Sequence, residues 1–180
     1  MDDIDPFLIP AFSVRNKMLR SLWWFVYILF FRFSPKPFFY WRSLLLRMFG
    51  AKIGNKVAIY PSVKIWAPWL LQCDDLVAIA NGVEIYNPKM VRIGSHAIVS
   101  QGAYLCGASH DYNDPRFPLF SREIVIEDYA WVCARASVMP GVTIKTGGVL
   151  GLGSVATKDV PEWTVHAGLP AVFVRHRQRN

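Results

Sequence analysis

Four histidines stand in this chain of 180 residues, at positions 96, 110, 166 and 176, and one of them has a setting suited to chemistry. His110 lies in the run Ser109-His110-Asp111-Tyr112, at the entrance to a stretch of fifteen residues, 111–125, that interrupts an otherwise regular pattern. A loop of that length in a compact domain usually carries function. This one holds Asp111, Tyr112, Asn113, Asp114, Phe117 and Phe120, a polar and aromatic set suited to an ordered lid. A neutral imidazole is well matched to removing a proton from a hydroxyl near pH 7. The plainer reading of His110 is a surface residue that caps a turn. Cys106, four residues earlier, invites a Cys–His nucleophile, but a small cysteine commonly serves packing. His96, His166 and His176 read as structural or solvated.

The pattern that His110 interrupts has a period of six. Its first positions are Ile53, Ile59, Ile65, Cys73, Ile79, Ile85, Ile93, Val99 and Leu105, then Ile126, Val132, Val138, Ile144, Leu150 and Ala156, all apolar. Four residues after each stands mostly Ser, Ala or Val, with Trp69, Lys89 and Gly148 as the exceptions. Six matches neither the 3.6 of a helix nor the 2.0 of a strand. It suits a chain that bends every six residues, each short strand starting inward and each inner corner taking a small side chain. Three units close a coil, and stacked coils pair as parallel strands. Fifteen units make five coils, about 24 Å tall at a strand spacing of ~4.8 Å. A β-sandwich would need period-two alternation and turns every 8–12 residues, which this stretch lacks. Gly54, Asn55, Asn81-Gly82, Gly94, Gly102, Gly141 and Gly147 suit corners that need positive φ. The expected organisation is an N-terminal helical segment (1–52), a β-helix (53–161) carrying the loop 111–125, and a C-terminal tail (162–180).

Composition bounds the partners. Hydrophobic residues make up 53% and charged residues 18%, enough apolar surface for a core. The net charge is +7, with its excess near the two ends, including Arg175-His176-Arg177-Gln178-Arg179. No basic run is interleaved with aromatics, so nucleic acid is not an expected partner. Cys73, Cys106 and Cys133 are scattered, with neither a disulfide framework nor a zinc spacing. No metal is therefore expected. The start Met1-Asp2-Asp3-Ile4-Asp5 does not read as a signal peptide, and a reducing cytoplasm is the expected home. The longest apolar run, Leu22 to Phe31, has ten residues between Arg20 and Arg32. A spanning helix needs about 20. The run either packs on the protein or a neighbouring subunit, or lies on the inner face of a membrane, so residues 12–50 are a candidate for peripheral contact.

At this point a family resemblance carries weight. The runs Ile85-Tyr-Asn87, Ile98-Val-Ser-Gln-Gly-Ala-Tyr-Leu105, Ser109-His110-Asp111-Tyr112, Pro118-Leu119, Ile124-Val-Ile-Glu-Asp128, Trp131, Pro140-Gly-Val-Thr-Ile144, Gly151-x-Gly-Ser-Val155, Thr157-Lys-Asp-Val-Pro161 and Ala167-Gly168-x-Pro-Ala171 are similar to the bacterial hexapeptide-repeat O-acetyltransferases. Together they look like the colanic acid biosynthesis branch, near the maltose, galactoside and nodulation-factor enzymes. Asn16-Lys17-x-x-Arg20 and Trp41-Arg42-x-x-Leu-Leu-Arg47-x-Phe-Gly50 extend the likeness to the front of the chain. The resemblance implies an all-β, left-handed parallel β-helix, a homotrimer, and transfer of an acetyl group from acetyl-CoA to a sugar or glycan hydroxyl, as in exopolysaccharide biosynthesis.

It also implies roles. His110 matches the catalytic histidine, acting as general base. Asn87, Asp111 and Trp131 fall at acceptor-binding positions, Trp131 packing on a sugar ring. Ala134, Leu152, Thr157, Lys158 and Arg175 fall at cofactor positions, with Lys158 and Arg175 suited to phosphates. Three departures stand out. Pro118-Leu119 replaces the Glu that orients the histidine in the maltose and galactoside enzymes, leaving a backbone carbonyl or Asp111 for that task. Leu152 replaces a usual Ala, and Val172 a usual Arg. Two other classes compete: a non-catalytic β-helix scaffold, and a γ-type carbonic anhydrase, which needs three histidine ligands where His110 is followed by none before His166.

Overall fold

Fifteen inward-facing apolar residues at six-residue intervals leave the chain one economical path, a triangular coil whose core is a column of these side chains. The computed structural model describes residues 12–178 and shows that coil. The first turn consists of β1 (Lys52–Ile53), β2 (Ala58–Ile59) and β3 (Lys64–Ile65), and the second of β4 (Leu71–Cys73), β5 (Ala78–Ile79) and β6 (Glu84–Tyr86). The third holds β7 (Val91–Ile93), β8 (Ile98–Val99) and β9 (Tyr104–Cys106). A hairpin, β10 (Ala108–His110) and β11 (Leu119–Ser121), then leaves the stack. The coil resumes with β12 (Ile124–Ile126), β13 (Trp131–Val132) and β14 (Ser137–Val138), then β15 (Thr143–Ile144), β16 (Val149–Leu150) and β17 (Val155–Ala156). Stacking yields three parallel faces: β1-β4-β7-β12-β15, β2-β5-β8-β13-β16 and β3-β6-β9-β14-β17. The fold is the all-β parallel β-helix, preceded by a helical segment.

The repeat positions set the register. On the second face Ile59, Ile79, Val99, Val132 and Leu150 pair in one ladder. All five are fully buried, each side chain contributing roughly 1.5–3 kcal/mol on transfer from water. The small column is buried too, from Val57 and Val63 through Ala97, Ala103, Ala130 and Ala136 to Val160. Its exceptions Trp69 and Lys89 fall at the corner between the third and first faces, where Leu71, Val91 and Ile124 take the inner place. Every interruption of the period, including the hairpin, falls at this one corner.

Gly82, Gly102, Gly141 and Gly147 take the positive φ expected of them, but two corner glycines do not. Gly54 and Gly94 do not take positive φ; a Cβ at either would come within 2.5 Å and 2.4 Å of the Asp75 and Asp128 carboxylates of the next coil. Those carboxylates accept the N–H groups of Asn55 (2.6 Å) and Ser95 (2.7 Å). The left-handed position comes two residues later and is filled by Lys56, Leu76, His96 and Tyr129, at the cost such residues bear in that region.

The helical segment is a lid on the first coil. In the stack, Gly54, Tyr60 and Trp66 donate N–H bonds upward to Cys73, Ile79 and Ile85, so the carbonyls of Ile53, Ile59 and Ile65 have no coil beneath them. Each receives a side-chain donor. Arg47 gives Nε and Nη2 to Ile53 O (3.0 and 2.8 Å), Arg42 gives Nε to Ile59 O (2.5 Å), and Trp23 gives Nε1 to Ile65 O (2.7 Å). Trp23 belongs to α1 (Val14–Val26), and both arginines to α2 (Phe39–Met48). Arg42 is fully buried, and its remaining donors go to Ser34 Oγ, Pro35 O and Lys36 O. A turn of π-helix, Tyr27–Phe31, follows α1 and keeps Phe31 on the buried side with Trp23 and Tyr27.

Residues 162–180, expected as a tail, instead extend the second face as far as they are described: β18 (Thr164–Gly168) adds parallel to β16, and β19 (Ala171–His176) folds back antiparallel on β18. The acidic start of the expected 1–52 segment, with the rest of residues 1–11, and residues 179–180 lie outside the described residues.

Two outcomes are expected. Arg42→Ala leaves several buried carbonyls without donors and should lower the unfolding free energy by about 3 kcal/mol or more, against less than about 0.5 kcal/mol for the exposed Lys17→Ala, both measured by urea denaturation. His166 packs edge-on against Phe173, and its Nε2 is sealed without a hydrogen-bond partner. Burial holds its pKa below the ordinary 6.5, so the folded state disfavours the protonated ring. Stability is then retained above the unfolded-state pKa and lost as the pH falls below it. The melting temperature should drop with acidification through that range, and His166→Asn should flatten the drop.

Candidate active site

The hairpin at the irregular corner presents His110. Its strands pair antiparallel, with Ala108 opposite Ser121 and His110 opposite Leu119, so part of the expected loop 111–125 is strand. Its base is tight: Gly107 donates to Tyr86 O at 2.7 Å, Arg122 N–H reaches Gly107 O, and a Cβ at 107 would sit 2.7 Å from the same Tyr86 carbonyl. Only glycine lets the hairpin leave the stack this closely.

The turn is built from local hydrogen bonds. Asp111 Oδ1 accepts the N–H of Asn113 (3.0 Å), and Asp114 Oδ1 accepts the N–H of Arg116 (2.9 Å). Asp114 also pairs with the Arg116 guanidinium, which holds its carboxyl below the usual range. Phe117 then takes a left-handed φ of 47°, unusual for an aromatic residue. This turn aims two groups at His110. The Phe117 carbonyl lies 2.9 Å from His110 Nδ1, and the Phe117 ring stacks on the imidazole at 4.5 Å and 9°.

A carbonyl oxygen only accepts. Nδ1 therefore carries the proton in the neutral ring, and Nε2 keeps its lone pair on an exposed side chain. That is the arrangement of a general base held by a backbone acceptor. The orienting group left open by Pro118-Leu119 is the carbonyl of Phe117. Asp111 is engaged with Asn113, and Glu123 pairs with Arg92 Nε. Cys106 Sγ donates to Ala108 O at 3.2 Å, a packing role at the hairpin base.

Asn87 requires correction. It is fully buried, its Oδ1 accepting from Ala67 N (3.0 Å) and its Nδ2 donating to Ala67 O and Leu70 O (2.8 and 2.9 Å). Its amide is consumed in holding the bulge between β3 and β4, so it is not free to bind an acceptor. Trp131 is exposed on the second face, with Nε1 on Ser100 Oγ at 2.8 Å. That face lies opposite the corner bearing His110, so one protomer does not bring the two together.

The cofactor candidates also divide. Ala134 and Leu152 are stacked at the corner between the second and third faces, with Gly153 N–H on Ala134 O at 3.0 Å. Leu152 is 74% exposed. Thr157 and Lys158 follow β17, exposed at the same corner as His110 and two coils further on. Arg175 stands exposed on β19, opposite Val165. The other histidines are elsewhere: His96 stacks on Tyr129 at 4.7 Å, and His166 and His176 lie on β18 and β19. Among the described residues no group of three or more His, Cys, Asp or Glu is disposed to hold a metal ion. Gly107 escaped the sequence reading, which took Phe117 only as part of an aromatic lid and not as the group that positions the imidazole; a phenylalanine in left-handed conformation has no signature in residue type.

Comparison with known proteins adds independent evidence. No family model matches the chain. It is 40% identical over 178 residues, 98% of each chain, to WcaF of Escherichia coli, assigned as a colanic acid biosynthesis acetyltransferase. The galactoside O-acetyltransferase of E. coli is 31% identical over 94 residues, 51% of this chain and 46% of that protein. Among solved structures, a hexapeptide-repeat acetyltransferase of Vibrio cholerae complexed with acetyl-CoA superposes with a TM-score of 0.86 at 24% identity, covering 95% of this chain and 93% of that one.

The tautomer is open to direct measurement. In nitrogen-15 spectra of the neutral protein, His110 should carry its proton on Nδ1, with Nε2 showing the shift of an unprotonated ring nitrogen. A proton on Nε2 would contradict the geometry derived from Phe117.

Proposed function

Because the chain belongs to the hexapeptide-repeat acetyltransferases, in the branch of the colanic acid biosynthesis enzymes, we propose that it carries an acetyl group from acetyl-CoA to a hydroxyl of a sugar or glycan with His110 as general base. The observation that carries this reading is the Phe117 carbonyl on Nδ1, which leaves Nε2 of an exposed side chain to take a proton. Nε2 removes the hydroxyl proton as the acceptor oxygen adds to the thioester carbonyl. The tetrahedral intermediate collapses by breaking the carbon–sulfur bond, and the leaving thiolate takes the proton back from Nε2. No covalent acyl-enzyme is required, in keeping with the packing role of Cys106.

The active assembly is a homotrimer in this proposal. Its support is the separation of the candidate residues: Ala134 and Leu152 stand at one corner of the prism, His110, Thr157 and Lys158 at another. A groove between two protomers, each contributing a different corner, unites them along a pantetheine arm. Thr157, Lys158 and Arg175 serve the cofactor's polar and phosphate groups there, while Asp111 and a neighbour's Trp131 meet the acceptor. The enzyme works on the cytoplasmic side of the inner membrane, a placement supported by three free cysteines. Among the described residues no helix is long and apolar enough to cross a bilayer.

Thiol release from acetyl-CoA with candidate sugar acceptors tests the base. His110→Ala should lower kcat about 10²–10⁴-fold, and unchanged turnover would remove His110 from the role. The shared groove is tested by mixing. His110→Ala and Leu152→Trp, each impaired alone, should recover activity when their subunits are exchanged, because some grooves then receive two intact corners.

A further inference from the structure

The outer side of the helical lid carries chemistry that neither the core nor the site uses. The buried stripe of α1 and the π-turn is Trp23, Tyr27 and Phe31. Phe25, Ile28, Leu29 and Phe33 point away from the protein, 60%, 50%, 51% and 77% exposed. Beside them opens an apolar cleft of about 460 Å³, bounded by Leu29, Phe30, Phe33, Phe38 and Trp41. A contiguous apolar surface of this kind marks an interaction site. The same end of the molecule is strongly cationic. Residues 6–73 hold ten Lys and Arg and no Asp or Glu, whereas the remainder holds ten against thirteen. Arg42 and Arg47 are committed to carbonyls, but Arg15, Lys17, Arg32, Lys36, Lys52 and Lys56 are exposed.

We propose that this surface docks on an anionic lipid bilayer, the aromatic and aliphatic side chains entering the headgroup–acyl boundary and the surrounding cations meeting lipid phosphates. Trp, Tyr and Phe flanked by Arg and Lys are the side chains that favour this boundary, and each cation close to an anionic surface adds to the attraction. A second copy of the chain fits poorly as the occupant. Packing two such lids together would oppose many positive charges with no carboxylate from this stretch between them. A polyanion without acyl chains would leave the apolar surface uncovered. Docking places the lid against the membrane with the first coil behind it, and His110, on the third coil, about 10 Å beyond the first coil at ~4.8 Å per coil. The proposal rests on the lid alone and stands whether or not the acetyltransferase mechanism holds.

The test is co-sedimentation of the full chain with phosphatidylcholine vesicles, with and without phosphatidylglycerol. Pelleting should require phosphatidylglycerol and weaken with salt. Arg32→Gln/Lys36→Gln should reduce partitioning roughly 25-fold, about fivefold for each charge removed, and Phe25→Ser/Phe33→Ser at least tenfold. Melting curves and light scattering should match the parent in both cases, since all four side chains are exposed. The proposal is overturned if the parent stays in the supernatant with anionic vesicles, or if either double variant pellets as well as the parent. It is equally overturned if the aromatic variant dissociates the oligomer, which would assign the patch to a subunit contact.

Discussion

A stack of hydrogen-bonded coils has one unavoidable weakness, its end. Every interior coil hands its N–H groups to the carbonyls of the next, but the first coil has carbonyls with nothing below them. An unmet buried carbonyl costs about 1–3 kcal/mol, and an exposed strand edge also recruits other strands. Here one donor serves each of the three faces: Arg47 for Ile53, Arg42 for Ile59 and Trp23 for Ile65. The N-terminal helices exist in this position because they deliver those donors. Burying the Arg42 guanidinium without a carboxylate is tolerable because four oxygens surround it.

With its end closed, the prism is regular enough to tolerate an insertion. The fourteen residues of the hairpin, Ala108–Ser121, can leave at one corner because the coils above and below keep their register, Val91 to Ile93 pairing directly with Ile124 to Ile126. The hairpin is positioned by a glycine that lets it leave the stack and by a phenylalanine in left-handed conformation. Backbone strain of that kind costs on the order of 1–3 kcal/mol and persists only where the surroundings over-determine it. The paired strands and the bonds of Asp111 and Asp114 supply that determination. The result is an imidazole with one nitrogen fixed and the other open.

The outside of the prism is where function divides. Residues matched to cofactor and acceptor roles lie on separate corners and faces of one protomer, which is the basis for proposing an edge shared between copies. The lid contributes differently, with an apolar and cationic outer surface at the end of the stack, distinct from the edges. Closing the solenoid used only Trp23, Tyr27 and Phe31 of the aromatic run, and Trp24, Phe25 and Phe30 stay exposed.

Much of this was legible in residue order. The six-residue period predicted the fifteen inward ladder residues from Ile53 to Ala156 and the five coils, because inward packing in a coil depends on local spacing, but not Leu71, Val91 and Ile124 at the irregular corner. The place of His110 was legible too, because it stands where the period breaks and the hairpin leaves the stack. Other features were decided by tertiary structure. Asn87 looks like a site residue in its motif, yet its amide closes a bulge twenty residues away in sequence. Gly54 and Gly94 sit at corners, but their need arises from carboxylates on the next coil. The expected tail became two strands because β16 offered an open edge. The acceptor for His110 Nδ1 is a backbone carbonyl, and any residue type carries one. Its direction depends on the φ of Phe117, which the hairpin sets and composition does not encode.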